Sequence, residues 1–133
     1  ESEWEYAARN GATQEVWAGT SQEAELDEHA VYAKNSDGRT AEVGTKRANG
    51  MKLHDVSGNV WEWVEDCWHE NYKDAPQDGS SWLERNEGDC GQRVIRGGCL
   101  FGKPEFLRAS NRNGSHTGTR EAYIGFRLVQ DLP

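Results

Sequence analysis

The sequence has few cysteines and no long apolar run. Three cysteines in 133 residues, Cys67, Cys90 and Cys99, lie too far apart for a zinc site or a dense disulfide framework. Cys67 and Cys90 could form a bridge, but separate buried or free thiols are the interpretation we favour. No apolar stretch approaches the length of a membrane span. We therefore expect no membrane insertion.

Basic residues are also scarce. Fifteen Lys and Arg face 23 Asp and Glu, which gives a net charge of -8. Nothing resembles a basic stripe, so the sequence argues against nucleic acid as a partner. The four histidines are scattered without helical ligand spacing, no Ser-His-Asp order is defensible, and no glycine-rich phosphate loop is present. These absences disfavour hydrolases and nucleotide-binding proteins.

Aromatic residues compensate for low hydrophobicity. Six Trp, four Tyr and three Phe accompany a hydrophobic fraction of only 35%, and each aromatic side chain buries a large apolar area. Fifteen glycines predict many turns. The length predicts one small domain over residues 1–133.

One helix is predicted at the start of the chain. In "ESEWEYAARNG", Trp4, Ala7 and Ala8 share a helical face. Ser2 and Glu5 have the spacing of a capping box, and Gly11 is placed to end the helix. For residues 20–30 the sequence leaves a second helical turn and a polar loop as alternatives.

Three short strands follow. Strict alternation in "VWEWV" (60–64) predicts a strand with Trp61 and Trp63 on one face. "RVIRGG" and the terminal "IGFRLVQ" predict two more, while residues 35–50 and 70–91 have the composition of loops. The fold class is therefore α+β and loop-rich, with short antiparallel strands and one or two helices.

The motifs "SEWEYAAR", "LHDVSGNVWEW", "RVIRGG", "LRASNR" and "IGFRLV" occur in this order. The order resembles that of the formylglycine-generating enzyme/sulfatase-modifying factor family, over nearly the whole chain from Ser2 to Val129. The resemblance implies a C-type lectin-like fold. The family domain usually begins upstream, so the chain is expected to be N-terminally short.

The resemblance raises oxidase activity as an alternative function, but the residues at the catalytic positions disfavour it. The enzymes of the family use two cysteines at the fourth and ninth positions after "RGG", where this sequence has Gly102 and Leu107. Neither residue can supply a thiolate for copper or for exchange with a substrate cysteine. Cys99 lies three residues too early and is unpaired. We therefore expect a non-enzyme without a redox cofactor.

A second branch of the family matches better. The sequence resembles ligand-binding proteins diversified by retroelements, in which variable positions interrupt a fixed "RVIRGG…LRxxNR…GFRL" frame. The resemblance implies a variable ligand-binding segment of about 94–128. Adenine-directed mutagenesis of Asn-type codons cannot yield Lys, Gln, Glu, Met or Trp. The positions predicted to vary obey that rule: Cys99, Leu100, Phe101, Gly102, Phe106, Gly114, Ser115, His116, Gly118, Thr119, Ala122 and Tyr123.

The composition of this segment agrees with a binding face, since large aromatic anchors alternate with Gly, Ser, Thr and His as in paratopes. The alternative is that Phe101 and Phe106 belong to the core. The recurring arginines (Arg96, Arg108, Arg112, Arg120 and Arg127) are expected to make forked internal hydrogen bonds; an anion site is the alternative. The expected partner is a protein or glycan on another cell or particle, with the chain displayed on a virion or cell surface. A purely structural domain is a third possibility, and no oligomeric state is predicted.

The turn "DVSGNVWE" suggests structural calcium. Asp55 and Glu62 offer carboxylates, and Gly58 and Val60 offer main-chain oxygens, the ligand mixture that calcium prefers. Calcium-binding members of the family use the matching positions. The alternative is a buried turn in which both carboxylates accept hydrogen bonds from the protein.

Overall fold

A computed structural model describes residues 1–83 and 88–130. The helices are α1 (Ser2–Ala8) and α2 (Leu26–His29), and the strands are β1 (Trp61–Trp68), β2 (Asp89–Arg96), β3 (Arg112–His116) and β4 (Ile124–Gly125). Short 3-10 turns lie at Gly11–Thr13, Glu23–Glu25 and Pro104–Leu107. Within these described ranges, every helix is too short and too polar to cross a lipid bilayer.

The four strands form one sheet in the order β3-β2-β1-β4. β1 pairs antiparallel with β2, and β2 pairs antiparallel with β3. β4 runs parallel to β1, with Ile124 opposite Trp61, so the terminal strand departs from the expected antiparallel pattern. Parallel pairing is possible here because residues 117–123 carry the chain back along the sheet before β4 begins.

Two apolar clusters pack around this sheet. Trp4 and Ala8 of α1 pack with Ala18, Val56 and Ala109. A second cluster joins α2 to the segment after β2 and contains Trp17, Leu26, Ala30, Tyr32 and Leu107. The aromatic residues therefore do supply much of the core, as the composition predicts.

The predicted first helix is confirmed, but its predicted cap is not. Glu1 is the N-cap residue and no side chain caps the helix. Ser2 instead donates its hydroxyl to the Gly79 carbonyl at 3.3 Å. At the other end Arg9 is the C-cap and Asn10 takes the left-handed conformation, one residue before Gly11. Residues 20–30, for which the sequence leaves a helical turn and a polar loop as alternatives, contain a 3-10 turn followed by α2.

The strands differ from their predicted bounds. β1 continues to Trp68, β2 begins already at Asp89, and the terminal strand is only two residues long. β3 was not predicted, because "RNGSH" has neither β-branched residues nor alternation. Within β1 the half-buried Trp61 and Trp63 flank a buried Glu62, so the interior face of this strand carries a carboxylate next to Val64, which packs against the first apolar cluster.

Cys67 and Cys90 form a disulfide, with their Cα atoms 4.6 Å apart. The favoured expectation of separate thiols is therefore wrong for this pair. The reason is tertiary: the β1–β2 pairing places Trp68 opposite Asp89, which brings the neighbouring cysteines together. Cys99 remains a free, buried thiol.

Candidate ligand-binding face

Arg96, at the end of β2, fixes the segment that precedes β3. Its side chain is fully buried. One guanidinium nitrogen donates to the Asn111 carbonyl at 3.1 Å, and the other donates to the Ala109 carbonyl at 2.9 Å and to the Glu5 carboxylate. The forked, charge-assisted hydrogen bonds of Arg96 thus hold the segment that precedes β3, which does not pair with a neighbouring strand.

The two glycines after Arg96 allow close backbone contacts. Gly97 and Gly98 both have positive φ (91° and 73°), a conformation that glycine adopts readily. A Cβ atom on Gly98 would lie 2.7 Å from the Phe106 carbonyl oxygen. The residue at 98 must therefore be glycine, and the loop 99–106 folds tightly back on it.

Arg112 and Arg127 serve the same structural purpose. The Arg112 guanidinium lies between the rings of Trp68 and Tyr72, 4.6 and 4.7 Å from their centroids, a cation–π arrangement. Arg127 binds both oxygens of Glu62, and this pairing raises the pKa of Arg127. The structural role expected for the arginines is confirmed for these two and for Arg96.

The other two arginines are exposed. Arg120 donates to the carbonyls of Thr117 and Thr119 at 3.1 and 2.8 Å, so it stabilises only its own loop. The Arg108 guanidinium has no hydrogen-bond or ion-pair partner among the described residues, whereas the Arg108 carbonyl accepts the Asn111 amide at 2.8 Å.

Three of the candidate aromatic residues reach solvent. Phe101 is 58% exposed and Phe106 is 49% exposed, so neither is a core residue. Phe101 meets Tyr123 edge to face, with ring centroids 5.7 Å apart. These rings come from two separate irregular runs. We call Phe101, Phe106 and Tyr123 the aromatic face.

Two candidate positions lie inside the protein. Cys99 is 6% exposed and Leu100 is 2% exposed. The Leu100 backbone is also held on both sides, because its amide donates to Asn59 and its carbonyl accepts from the Ser36 hydroxyl. Their side chains pack in the interior and do not contribute to an exposed face.

Two candidate glycines are confined by neighbours. A Cβ atom at Gly102 would lie 2.7 Å from Leu107 Cδ1, and one at Gly114 would lie 2.8 Å from Trp68 Cδ2. A side chain at 114 must therefore displace an indole ring. At Gly118, by contrast, an added Cβ meets nothing within 4 Å.

The remaining candidates spread along the sheet. Of these, His116 and Ala122 are exposed, while Ser115 and Thr119 are half-buried. Ser115 pairs with Arg93, which pairs with Cys67; Ile124, next to Tyr123, pairs with Trp61. These two pairings lie six residue steps apart along β1, about 20 Å at strand rise. The exposed candidates thus form two patches, the aromatic face and a second one around His116.

Both carboxylates that were predicted to bind calcium have protein partners. The Glu62 carboxylate is bound by Arg127 and accepts the Trp4 indole N–H at 2.7 Å. Asp55 accepts the Gly44 amide at 2.7 Å. A guanidinium beside Glu62 repels a second cation. These contacts do not fit a calcium ion unless Arg127 moves. They agree with the alternative interpretation, a turn in which both carboxylates accept hydrogen bonds from the protein.

Because of these contacts, we expect the melting temperature to be the same in calcium chloride and in EGTA. The Arg127 guanidinium already neutralises the Glu62 carboxylate, so an added calcium ion would contribute little further stabilisation of the native state. Differential scanning calorimetry at matched ionic strength is the measurement. A calcium-dependent rise in melting temperature that Asp55→Asn abolishes would restore the calcium site, because a ligand that binds only the native state stabilises it.

The comparison with protein families covers the chain from end to end. Residues 1–132 match the model of the sulfatase-modifying factor enzyme 1-like domain. The chain belongs to this FGE–sulfatase family. Its α+β, C-type lectin-like fold and the predicted resemblance are thereby confirmed.

Known relatives include a variable protein, an enzyme and an inactive enzyme relative. The solved structure of Treponema denticola variable protein 1 superposes with a TM-score of 0.75 and 36% identity, over 93% of this chain and 43% of that one. The formylglycine-generating enzyme of Thermomonospora curvata is 28% identical over 98% of this chain and 48% of its own length. An inactive C-alpha-formylglycine-generating enzyme 2 from Mus musculus is 27% identical over 97% of this chain and 41% of its own length.

The chain spans between 20% and 50% of the length of the curated relatives that it matches, which also include a serine/threonine-protein kinase pkn1 from Chlamydia caviae, 32% identical over 99% of this chain and 20% of its own length. The family therefore contains enzymes, inactive enzyme relatives and variable proteins, and family membership alone does not decide between them.

Proposed function

We propose that this chain is a non-catalytic ligand-binding domain whose binding surface is the aromatic face and the exposed positions around it. The observation that carries the proposal is the exposure of Phe101 and Phe106 on a loop that Gly98 and the buried Arg96 hold in place. Aromatic anchors on a rigid frame lose little conformational entropy when they bind. The ligand is a protein or glycan on another cell or particle.

The residues at the catalytic positions support a non-catalytic role. Gly102 has no side chain, and Leu107 is fully buried, so neither position offers a thiol. The free thiol of Cys99 is buried as well, and buried thiols in apolar surroundings are poor nucleophiles. The alternative is an oxidase of the formylglycine-generating type. Such an enzyme would have to catalyse the copper-dependent oxidation of a cysteine in a peptide with Gly102 and Leu107 at the two catalytic cysteine positions.

We further propose that a retroelement diversifies the segment and that the chain is displayed on a virion or cell surface. The structure refines which positions could tolerate diversification. The exposed residues Phe101, Phe106, His116, Gly118 and Ala122 have room to change. The interior positions Cys99 and Leu100 do not.

Deep sequencing of the gene's 3′ end in the source population tests diversification. Substitutions are expected to concentrate at the exposed candidates, while Gly97, Gly98, Arg96 and Arg112 stay fixed because their contacts hold the loops. Position 114 is expected to vary less than 118, since only 114 abuts an indole. Changes scattered evenly over frame and loops would contradict diversification.

A point substitution tests the binding face directly. Protein and glycan arrays of cell-surface molecules identify a ligand, and its affinity is then measured by surface plasmon resonance. Phe101→Ala is expected to weaken binding by about 2 kcal/mol, roughly 30-fold, as a central aromatic anchor does. The matched control is Phe126→Ala, because Phe126 is 72% exposed but belongs to the frame.

The control should change the affinity less than about twofold, as energetically neutral contacts do. Equal losses for both phenylalanines, or none for Phe101→Ala, would place binding elsewhere. Both variants should keep the wild-type melting temperature, since exposed side chains contribute little to stability.

A further inference from the structure

A groove of about 700 Å³ opens at the opposite end of the sheet from the aromatic face. It lies where β1 ends at Trp68 and β2 begins at Asp89, two residues that pair directly. Three rings, those of Trp68, His69 and Trp82, line it. The volume lies in the range of small-ligand sites.

The aromatic lining is held rigidly. His69 and Trp82 stack with their centroids 3.6 Å apart and their planes 7° from parallel. The Trp68 ring is fixed from one side by the Arg112 guanidinium and by the backbone at Gly114. The disulfide between Cys67 and Cys90 joins the two strands beside it. The groove is therefore preformed, which lowers the entropic cost of binding.

Planar polar side chains surround these rings. Asn71 and Gln92 contribute amides, and Asp74 and Asp89 contribute carboxylates. Asp89 accepts the Gly91 amide at 2.8 Å and the Gln92 amide at 3.1 Å, and these bonds lower the pKa of Asp89. The Asn71 side-chain oxygen accepts the Lys73 amide at 2.9 Å, while its NH₂ group has no partner within the described ranges. Adjacent donors and acceptors of this kind match pairs of hydroxyl groups.

The charge of the groove limits the ligand. Among the described residues that line the groove, the three carboxylates of Glu70, Asp74 and Asp89 face a single ammonium group, that of Lys73. The excess of negative charge repels phosphorylated, sulfated and sialylated molecules. The dominance of polar groups over apolar ones disfavours a purely apolar ligand.

We propose that this groove binds an uncharged carbohydrate. The C–H face of a sugar ring would pack on the Trp68 indole, and its hydroxyl groups would hydrogen-bond to Asn71, Gln92, Asp74 and Asp89. This site goes beyond the aromatic face and does not depend on diversification. Two predicted variable positions border it, since Gly114 abuts Trp68 and His116 pairs with Gln92.

Titration of the intact chain with mannotriose, maltotriose and chitotriose, followed by two-dimensional NMR, tests the proposal. Saturable shifts are expected with at least one of these sugars, and none with 3′-sialyllactose. The double variant Asn71→Ala/Gln92→Ala should weaken binding by about tenfold or more, through the loss of two hydrogen bonds. Both side chains lie at the surface or half-buried, so the variant should fold. Phe126→Ala is the control and should leave sugar binding unchanged, because Phe126 is exposed and does not line the groove.

Three results would overturn the groove site. The first is the absence of saturable shifts with all three uncharged sugars. The second is sugar binding that Phe101→Ala removes and the double variant does not, which would move the sugar to the aromatic face and leave the proposed function standing. The third is salt-sensitive binding of hexa-arginine without sugar binding, which would assign the groove to basic peptides.

Discussion

Replacing Arg96 with methionine is expected to lower the free energy of unfolding by about 3–5 kcal/mol, as the removal of one partner from a buried ionic network does. The substitution leaves the Ala109 and Asn111 carbonyls without their donor. It also leaves the buried carboxylate of Glu1, 3.2 Å from the guanidinium, without that positive charge. Packing on Trp4, whose ring centroid lies 5.1 Å away, is lost as well.

Urea denaturation followed by tryptophan fluorescence gives the measurement. Arg120→Met is the matched control, because Arg120 is exposed and bonds only to two carbonyls of its own loop. The control should cost less than about 0.5 kcal/mol, as surface substitutions do. A loss below about 1 kcal/mol for Arg96→Met would mean that the frame does not depend on this guanidinium.

The binding face should respond to the same substitution. Ala109 and Asn111 lie directly after the loop that carries Phe101 and Phe106, and the Asn111 side chain donates to the Phe106 carbonyl at 2.9 Å. Losing Arg96 therefore frees one end of this loop. A folded Arg96→Met protein should bind more weakly than wild type even though Arg96 touches no ligand.

Loss of the disulfide is the second large effect. Cys67→Ala/Cys90→Ala is expected to lower the free energy of unfolding by about 3.5 kcal/mol, because the bridge closes a loop with a sequence separation of 23 residues. The loop-closure entropy of the unfolded chain supplies most of this figure. Urea denaturation of the oxidised protein and of the double variant gives the comparison.

Reduction supplies the control for the disulfide. Dithiothreitol should destabilise the wild type to about the level of the double variant, and it should leave the double variant itself unchanged. Thiol titration of the unfolded, oxidised wild type should find one free thiol, that of Cys99. Three free thiols would show that the bridge does not form, whatever the geometry allows.

Local features of the sequence were sufficient for several elements. The spacing of Trp4 and Ala8 predicts α1 because a helical period is a local property. The alternation around Trp61 predicts a strand, and the motif order predicts the family fold. Such signals depend only on neighbouring residues or on motifs kept in order.

Other features depend on residues that are distant in the sequence. β3 forms because β2 offers an open edge, and "RNGSH" alone carries no strand signal. Cys67 meets Cys90 only through the bulged β1–β2 pairing. The groove at Trp68 joins residues from both sides of that disulfide, so no linear motif could reveal it.

The sequence by itself determined the fold family, the first helix, the structural role of Arg96, Arg112 and Arg127, and the list of candidate binding positions. Only the tertiary structure decided which candidates face solvent. Phe101 is exposed and Leu100 is buried, although the two are adjacent and similar in hydrophobicity. The physical reason is that burial depends on packing between segments that are distant in the sequence. Here the Leu100 backbone is hydrogen-bonded to Ser36 and Asn59. The composition of a loop does not indicate which of its side chains will face the core.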